Sequence, residues 1–183
     1  ILPMPMNVRE QTTPIPFANR RGLVVLARLT PLKGIRRAFS LSQQLNLPLT
    51  IIGDGPNRAQ LESNAPANVH FTGALSRQDA MKQLASARAV LLLPEVDTDG
   101  MGAEGLGLCL LEAANVGTPA IGCRVGGVPE AVGPGLLIDP EKPDLAVIRQ
   151  FLNDPGAGAT AKEWVQRAHG PKACLQALQE ALL

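Results

Sequence analysis

The sequence predicts an α/β fold: a doubly wound, mostly parallel sheet with helices on both faces. Three observations carry this. Short runs at 23–27, 49–52, 69–72, 89–93, 120–122 and 136–138 are apolar on both faces, as buried parallel strands are. Segments of helical period lie between them, at about 35–46, 57–64, 77–87, 107–117 and 128–132. Loops with Gly, Pro or capping residues separate the two kinds of segment, so each strand feeds a helix through a right-handed crossover. Beyond Ile138 the pattern is helical, at roughly 142–153, 159–168 and 171–182. Residues 1–21 are Pro-rich and irregular and read as a linker or edge segment, which places the domain at 22–183.

Composition narrows the function. The 183 residues are 45% hydrophobic and 18% charged, which excludes intrinsic disorder. Lys plus Arg is 17 and Asp plus Glu is 16, a net charge of +1 that gives no field to hold nucleic acid or an anionic membrane. Aromatics are 3% and Tyr is absent, so stacking platforms for single strands are not expected. No apolar run reaches the ~18 residues of a spanning helix, so no transmembrane segment is expected. Cys109, Cys123 and Cys174 lie far apart without zinc spacing. They are expected to be reduced, in a cytoplasmic protein, and two of them to be inert core thiols. His70 and His169 are isolated, and His70, in an apolar strand, reads as a satisfied structural residue.

In a doubly wound sheet the ligand lies at the carboxyl ends of the strands, so the loops that follow them matter most. The first is Arg28-Leu-Thr-Pro-Leu-Lys33-Gly34, two cations bracketing a Pro turn. Arg supplies a planar fork and Lys a point charge, and both suit phosphate oxygens. The second is Gly53-Asp54-Gly55-Pro56, a turn in which Asp54 is a candidate N-cap and Pro56 a candidate first helical residue. The third, Gly73-Ala-Leu-Ser76-Arg77-Gln-Asp79, offers Ser76 as an N-cap, with Asp79 completing an imperfect capping box. The fourth is Gly-rich and holds Glu104, then Gly107, then a helix containing Glu112. Free N–H groups at that helix start favour an anion. Asp97 and Asp99 in this loop resemble a metal-binding Asp-x-Asp without further ligands, and no metal site is expected. Two carboxylates beside a phosphate-type helix start also argue against a glycosidase pair. Gly126-Gly127-Val-Pro129-Glu130 reads as a tight turn into a short helix.

Taken in order, these stretches resemble the C-terminal, donor-binding half of a GT-B glycosyltransferase. More narrowly, they resemble the retaining glycosyltransferase family 4, or group 1. The matching pieces are 24–34, 51–56, 69–73, 104–113, 117–121 and 126–130, and the match covers about 22–140. The resemblance implies a Rossmann-like domain that takes a nucleoside-diphosphate sugar, with UDP or GDP as the nucleotide and no separate cofactor. It implies a catalytic group of Glu104, Arg28 and Lys33. Arg28 and Lys33 would neutralise the diphosphate, and Glu104 would face the donor sugar. Glu112 would accept from the ribose hydroxyls. Backbone N–H groups of Leu106, Gly107 and Leu108 would cradle the phosphates. Gly53 would line the donor site, and Gly73, Ala74, Leu75 and Arg77 would edge the base.

Transfer in this family is expected to proceed with retention and without a metal, in polysaccharide or lipid-linked sugar synthesis. GT-B enzymes have a second, N-terminal domain for the acceptor, which has no counterpart in this sequence. The chain is therefore expected to be a donor-binding half that binds nucleotide sugar without efficient transfer. Two rival readings are a non-catalytic nucleotide-binding module and half of a GT-B-like sugar-nucleotide epimerase. A dinucleotide oxidoreductase is disfavoured because no GxGxxG follows the first strand.

Overall fold

The computed structural model describes residues 15–96 and 104–181. Six strands form one sheet: β1 Leu23–Leu26, β2 Leu49–Ile52, β3 Val69–Gly73, β4 Ala89–Leu92, β5 Ala120–Cys123 and β6 Leu136–Ile138. Their order is β3-β2-β1-β4-β5-β6, and every neighbouring pair is parallel. The helices are α1 Ile35–Leu45, α2 Arg58–Ser63, α3 Arg77–Ser86, α4 Leu108–Asn115, α5 Val128–Val132, α6 Leu145–Leu152, α7 Ala157–His169 and α8 Pro171–Ala181.

Side chains alternate across each strand, and this splits the core in two. Val24, Val90 and Leu92 point to one face, where they meet α3, α4, α5 and α7 through Met81, Leu84, Leu110, Val128 and Val165. Leu23, Val25, Leu91 and Ile121 point to the other and pack on α1 and α6 through Ile35, Phe39, Leu45 and Ile148. Both faces of the central strands are covered, which is why those runs are apolar throughout.

The edge strand β3 departs from that expectation. Its residues are partly or fully exposed apart from Gly73, and His70 lies on the solvent side rather than in a core. Ser76 does cap α3: its Oγ accepts from the Asp79 N–H at 3.1 Å and donates to Asp79 Oδ2 at 2.7 Å. Asp54 does not cap α2, which starts at Arg58 with Asn57 at the N-cap, so Pro56 lies before the helix. The Asp54 carboxylate instead turns back to the Gly55 N–H at 2.7 Å and to Arg58 at 2.9 Å. These two contacts hold its pKa below the ordinary carboxylate value.

Strand order reverses direction between β1 and β4: β2 and β3 are added on one side of β1, and β4, β5 and β6 on the other. A crevice opens at such a switch point, outside the carboxyl ends of the strands. Arg28, Lys33 and residues 104–107 border it.

Candidate functional site

Two clefts open at this end of the sheet. One, of about 480 Å³, is lined by Arg28, Lys33, Glu104, Leu106, Gly107 and Leu108 among others. The second, of about 420 Å³, is lined by Gly53, Asp54, Ala74, Leu75 and Glu112. Leu26, Ala27, Arg28 and Cys109 border both, so the clefts meet over the end of β1.

Both clefts hold carboxylates in ion pairs, Asp54 of the second being the one paired with Arg58. In the first, Lys33 Nζ donates to Glu104 Oε2 at 2.5 Å, and the Glu104 side chain is 12% exposed. In the second, Arg77 Nη1 donates to Glu112 Oε1 at 2.8 Å, with Glu112 19% exposed. Arg28 stands between them, exposed, with no hydrogen-bond or ion-pair partner among the described residues. Among the described residues, the junction of the clefts therefore carries a positive charge with no ion-pair partner. The start of α4 adds to it, because its N-cap Gly107 offers no side-chain cap and its first residues, Leu108 and Cys109, line the first cleft.

Backbone packing explains how these side chains arrive. Hydrogen bonds from Ala27 N–H to Ile52 O, Leu29 N–H to Asp54 O and Gly53 N–H to Gly73 O tie together the loops after β1, β2 and β3. Gly34 closes the first loop onto β4: at φ +63, a Cβ there would sit 1.7 Å from the Leu93 carbonyl oxygen. The Leu32 carbonyl then accepts from the Glu95 N–H at 2.9 Å. Lys33 is thereby carried to the mouth of the β4 loop. The Gly126-Gly127 turn does the same for Glu104. Gly127 N–H donates to Glu104 O at 3.0 Å, and a Cβ on Gly126 would lie 2.0 Å from that oxygen. This turn, read from sequence only as a helix start, is the backbone clamp on Glu104. Its sequence signal is the doubled glycine.

The structure places Arg28, Lys33, Gly53, Ala74, Leu75, Glu104, Leu106, Gly107, Leu108 and Glu112 around the two clefts. Gly73 stands behind them as the turn that ends β3. Arg77 is absent from the lining of both clefts and reaches the site through its pair with Glu112. The candidate metal-loop residues Asp97 and Asp99 lie outside the described residues.

Sequence reading missed Cys109. As a lone thiol in an apolar run it reads as core, yet it borders both clefts. Burial, and then the negative charges of Glu104 and Glu112, push its thiol up to about 12. A thiolate there would be desolvated beside two carboxylates, so the group stays protonated at neutral pH. At pH 8, alkylation of Cys109 by iodoacetamide is expected to be roughly a hundredfold slower than that of a free cysteine. Peptide mass spectrometry over a time course measures this, and a rate near the free-thiol value would contradict the assignment.

The chain matches the sequence profile of the family described as "Glycosyl transferases group 1" over residues 11–170. It is 31% identical over 156 residues to a GDP-mannose-dependent monoacylated alpha-(1-6)-phosphatidylinositol monomannoside mannosyltransferase of Corynebacterium glutamicum. That alignment covers 79% of this chain and 39% of the relative. A GDP-mannose-dependent alpha-(1-6)-phosphatidylinositol monomannoside mannosyltransferase of Mycobacterium tuberculosis is 30% identical over 168 residues, covering 81% of this chain and 44% of its own length. The chain thus spans less than half of these curated relatives. Among solved structures, AviGT4, a glycosyltransferase involved in avilamycin A biosynthesis, superposes with a TM-score of 0.81 at 22% identity. It is matched over 99% of this chain and 55% of that one. Anabaena HepE in complex with UDP-glucose gives a TM-score of 0.70 at 20% identity, over 91% of this chain and 49% of HepE. With the profile match covering most of its length and the six-stranded parallel sheet shared with these enzymes, the chain belongs to the group 1 glycosyltransferases and has their GT-B, Rossmann-like fold.

Proposed function

We propose that this chain binds a GDP-hexose and forms the donor-binding half of a retaining, metal-independent glycosyltransferase. The observation that carries the reading is the pair of clefts meeting at Arg28. A nucleotide sugar has the matching layout: a diphosphate flanked by a nucleoside on one side and a hexose on the other. The second cleft takes the nucleoside, with Glu112 accepting from the ribose hydroxyls and the Ala74–Leu75 backbone along the base. The first takes the hexose under Glu104. Arg28, Lys33 and the start of α4 face the diphosphate. GDP is chosen because the C. glutamicum and M. tuberculosis relatives are named for GDP-mannose. Family membership disfavours the non-catalytic module and the epimerase.

In transfer, the bond from sugar C1 to the β-phosphate oxygen breaks, and its electron pair leaves with the nucleoside diphosphate. The acceptor oxygen bonds to C1 on the same face, and its proton passes to the departing phosphate oxygen. Charge grows on that phosphate as the bond opens. Cations and N–H groups already aimed at it stabilise the transition state more than the ground state. Lys33 has a second duty, since its pair with Glu104 fixes the carboxylate beside the sugar. Acceptor binding belongs to a second domain, so the chain alone holds donor without efficient transfer.

A thermal-shift panel with GDP, UDP, ADP and dTDP tests this. Ligand at ~100 times Kd adds about 2.7 kcal/mol of stability. For a domain of this size the expected rise with GDP is about 5–10 °C. It should disappear in a folded Glu112→Ala variant. A flat response to all four nucleotides, or a GDP response unchanged in Glu112→Ala, overturns the reading.

A further inference from the structure

At the opposite end of the sheet a separate cavity of about 330 Å³ lies under the starts of β4 and β5. Phe17 and Phe151 are among its apolar walls, and Arg20, Arg88 and Lys162 line it as well. All three cations are half-buried. Half-buried cations elsewhere in the chain face carboxylates, as Lys33 faces Glu104 and Arg37 faces Glu141. These three have no carboxylate partner among the described residues.

Their hydrogen bonds go to neutral acceptors. Arg20 Nε donates to Ile15 O at 3.1 Å, and its Nη1 donates to Gly117 O. Arg88 Nε donates to Arg20 O at 3.0 Å and its Nη1 to Leu152 O at 3.3 Å. The Arg88 guanidinium also lies 4.3 Å above the Phe17 ring. The Nη2 groups of both arginines and the whole Lys162 ammonium are left without a partner among the described residues. One carboxylate, Asp154, borders the cavity, and it is turned to the Gly156 N–H at 2.8 Å.

Partly desolvated charges persist when a counter-charge meets them. Three cations against one carboxylate leave an excess of two positive charges, next to two phenyl rings. We propose that this cavity is a second binding site, distinct from the donor clefts, for a phosphate monoester carrying an aromatic or branched apolar group. A phosphate monoester brings close to two negative charges at neutral pH and oxygens that two guanidinium edges and an ammonium can share. The apolar group fills the space between Phe17 and Phe151. The volume suits a small ligand, at the lower end of ordinary pockets.

Isothermal titration of the 183-residue chain with phenyl phosphate, inorganic phosphate and phenol tests the site. Phenyl phosphate is expected to bind one to one, at least tenfold tighter than inorganic phosphate, with phenol showing no binding. Lys162→Met removes a group that, among the described residues, holds nothing else in place, and should weaken phenyl phosphate about tenfold or more. Arg28→Ala, at the far end of the sheet, should leave that affinity unchanged. Absence of phenyl phosphate binding overturns the proposal, as does inorganic phosphate binding equally well. Retained affinity in Lys162→Met also overturns it, and so does loss in Arg28→Ala, which would place the phosphate in the donor clefts.

Discussion

Arg28→Ala is expected to weaken GDP binding by roughly 10- to 100-fold, the cost of one charge-assisted contact. The melting temperature of the unliganded chain should move by no more than about 2 °C. The two expectations separate because Arg28 is exposed and, among the described residues, holds no other group in place. Its whole contribution lies in the unbalanced charge where the two clefts meet. Arg28→Lys should restore only part of the affinity, since an ammonium cannot present a planar fork to two phosphate oxygens. Lys33→Ala offers a contrast. It strips the partner from a Glu104 side chain that is 12% exposed, so it should cost stability as well as affinity. Titration calorimetry at two salt concentrations, with melting curves on the same samples, measures both. Unchanged GDP affinity in Arg28→Ala would remove the diphosphate from this position.

Gly126→Ala should lower stability by about 2–4 kcal/mol, seen as a fall in melting temperature of roughly 5–15 °C. Two causes add. The residue sits at φ +53, where a side chain costs about 1–2 kcal/mol. Its Cβ would also lie 2.0 Å from the Glu104 carbonyl oxygen, which is backbone and cannot swing aside. The Glu104 loop must therefore retreat, and the Lys33–Glu104 pair moves with it. A preference for GDP-mannose over GDP, if the hexose rests on Glu104, should disappear in this variant. Gly105→Ala is the control. It lies in the same loop, but a Cβ there meets nothing within 4 Å, so stability should stay within about 0.5 kcal/mol. Equal melting temperatures for Gly126→Ala and the parent would show that the clamp does not hold the loop.

The secondary structure was legible because its causes are local. Val24 and Val25 go to opposite faces of a sheet covered on both sides, so the run had to be apolar throughout. Ser76 and Asp79 announced the start of α3 because capping is a contact across three residues. Parallel connection of those strands in turn located the important loops at their carboxyl ends. The exposure of His70 was not legible, because nothing in Val69–Gly73 says that β3 is an edge.

What the sequence by itself determined is which residue types stand in which loops, and hence the kind of ligand those loops suit. Tertiary structure alone decided how they combine. Lys33 and Glu104 are 71 positions apart, and Arg77 and Glu112 are 35 apart. Each pair meets only because the strand order reverses at β1 and β4. Gly126 meets Glu104 through backbone atoms, and the doubled glycine in the sequence marks a tight turn without naming the residue it clamps. Cys109 reads as core in a helix, and becomes a boundary of two clefts because the end of β1 stops beside it. The cations at the amino end of the sheet come from the segment before β1, the α3–β4 connection and helix α7, so only packing reveals that the three share one cavity with a single carboxylate, Asp154. Local structure follows from interactions over a few residues, which a sequence displays in order. A site is built from loops brought together by crossovers, and the charge balance inside it exists only once the chain has folded.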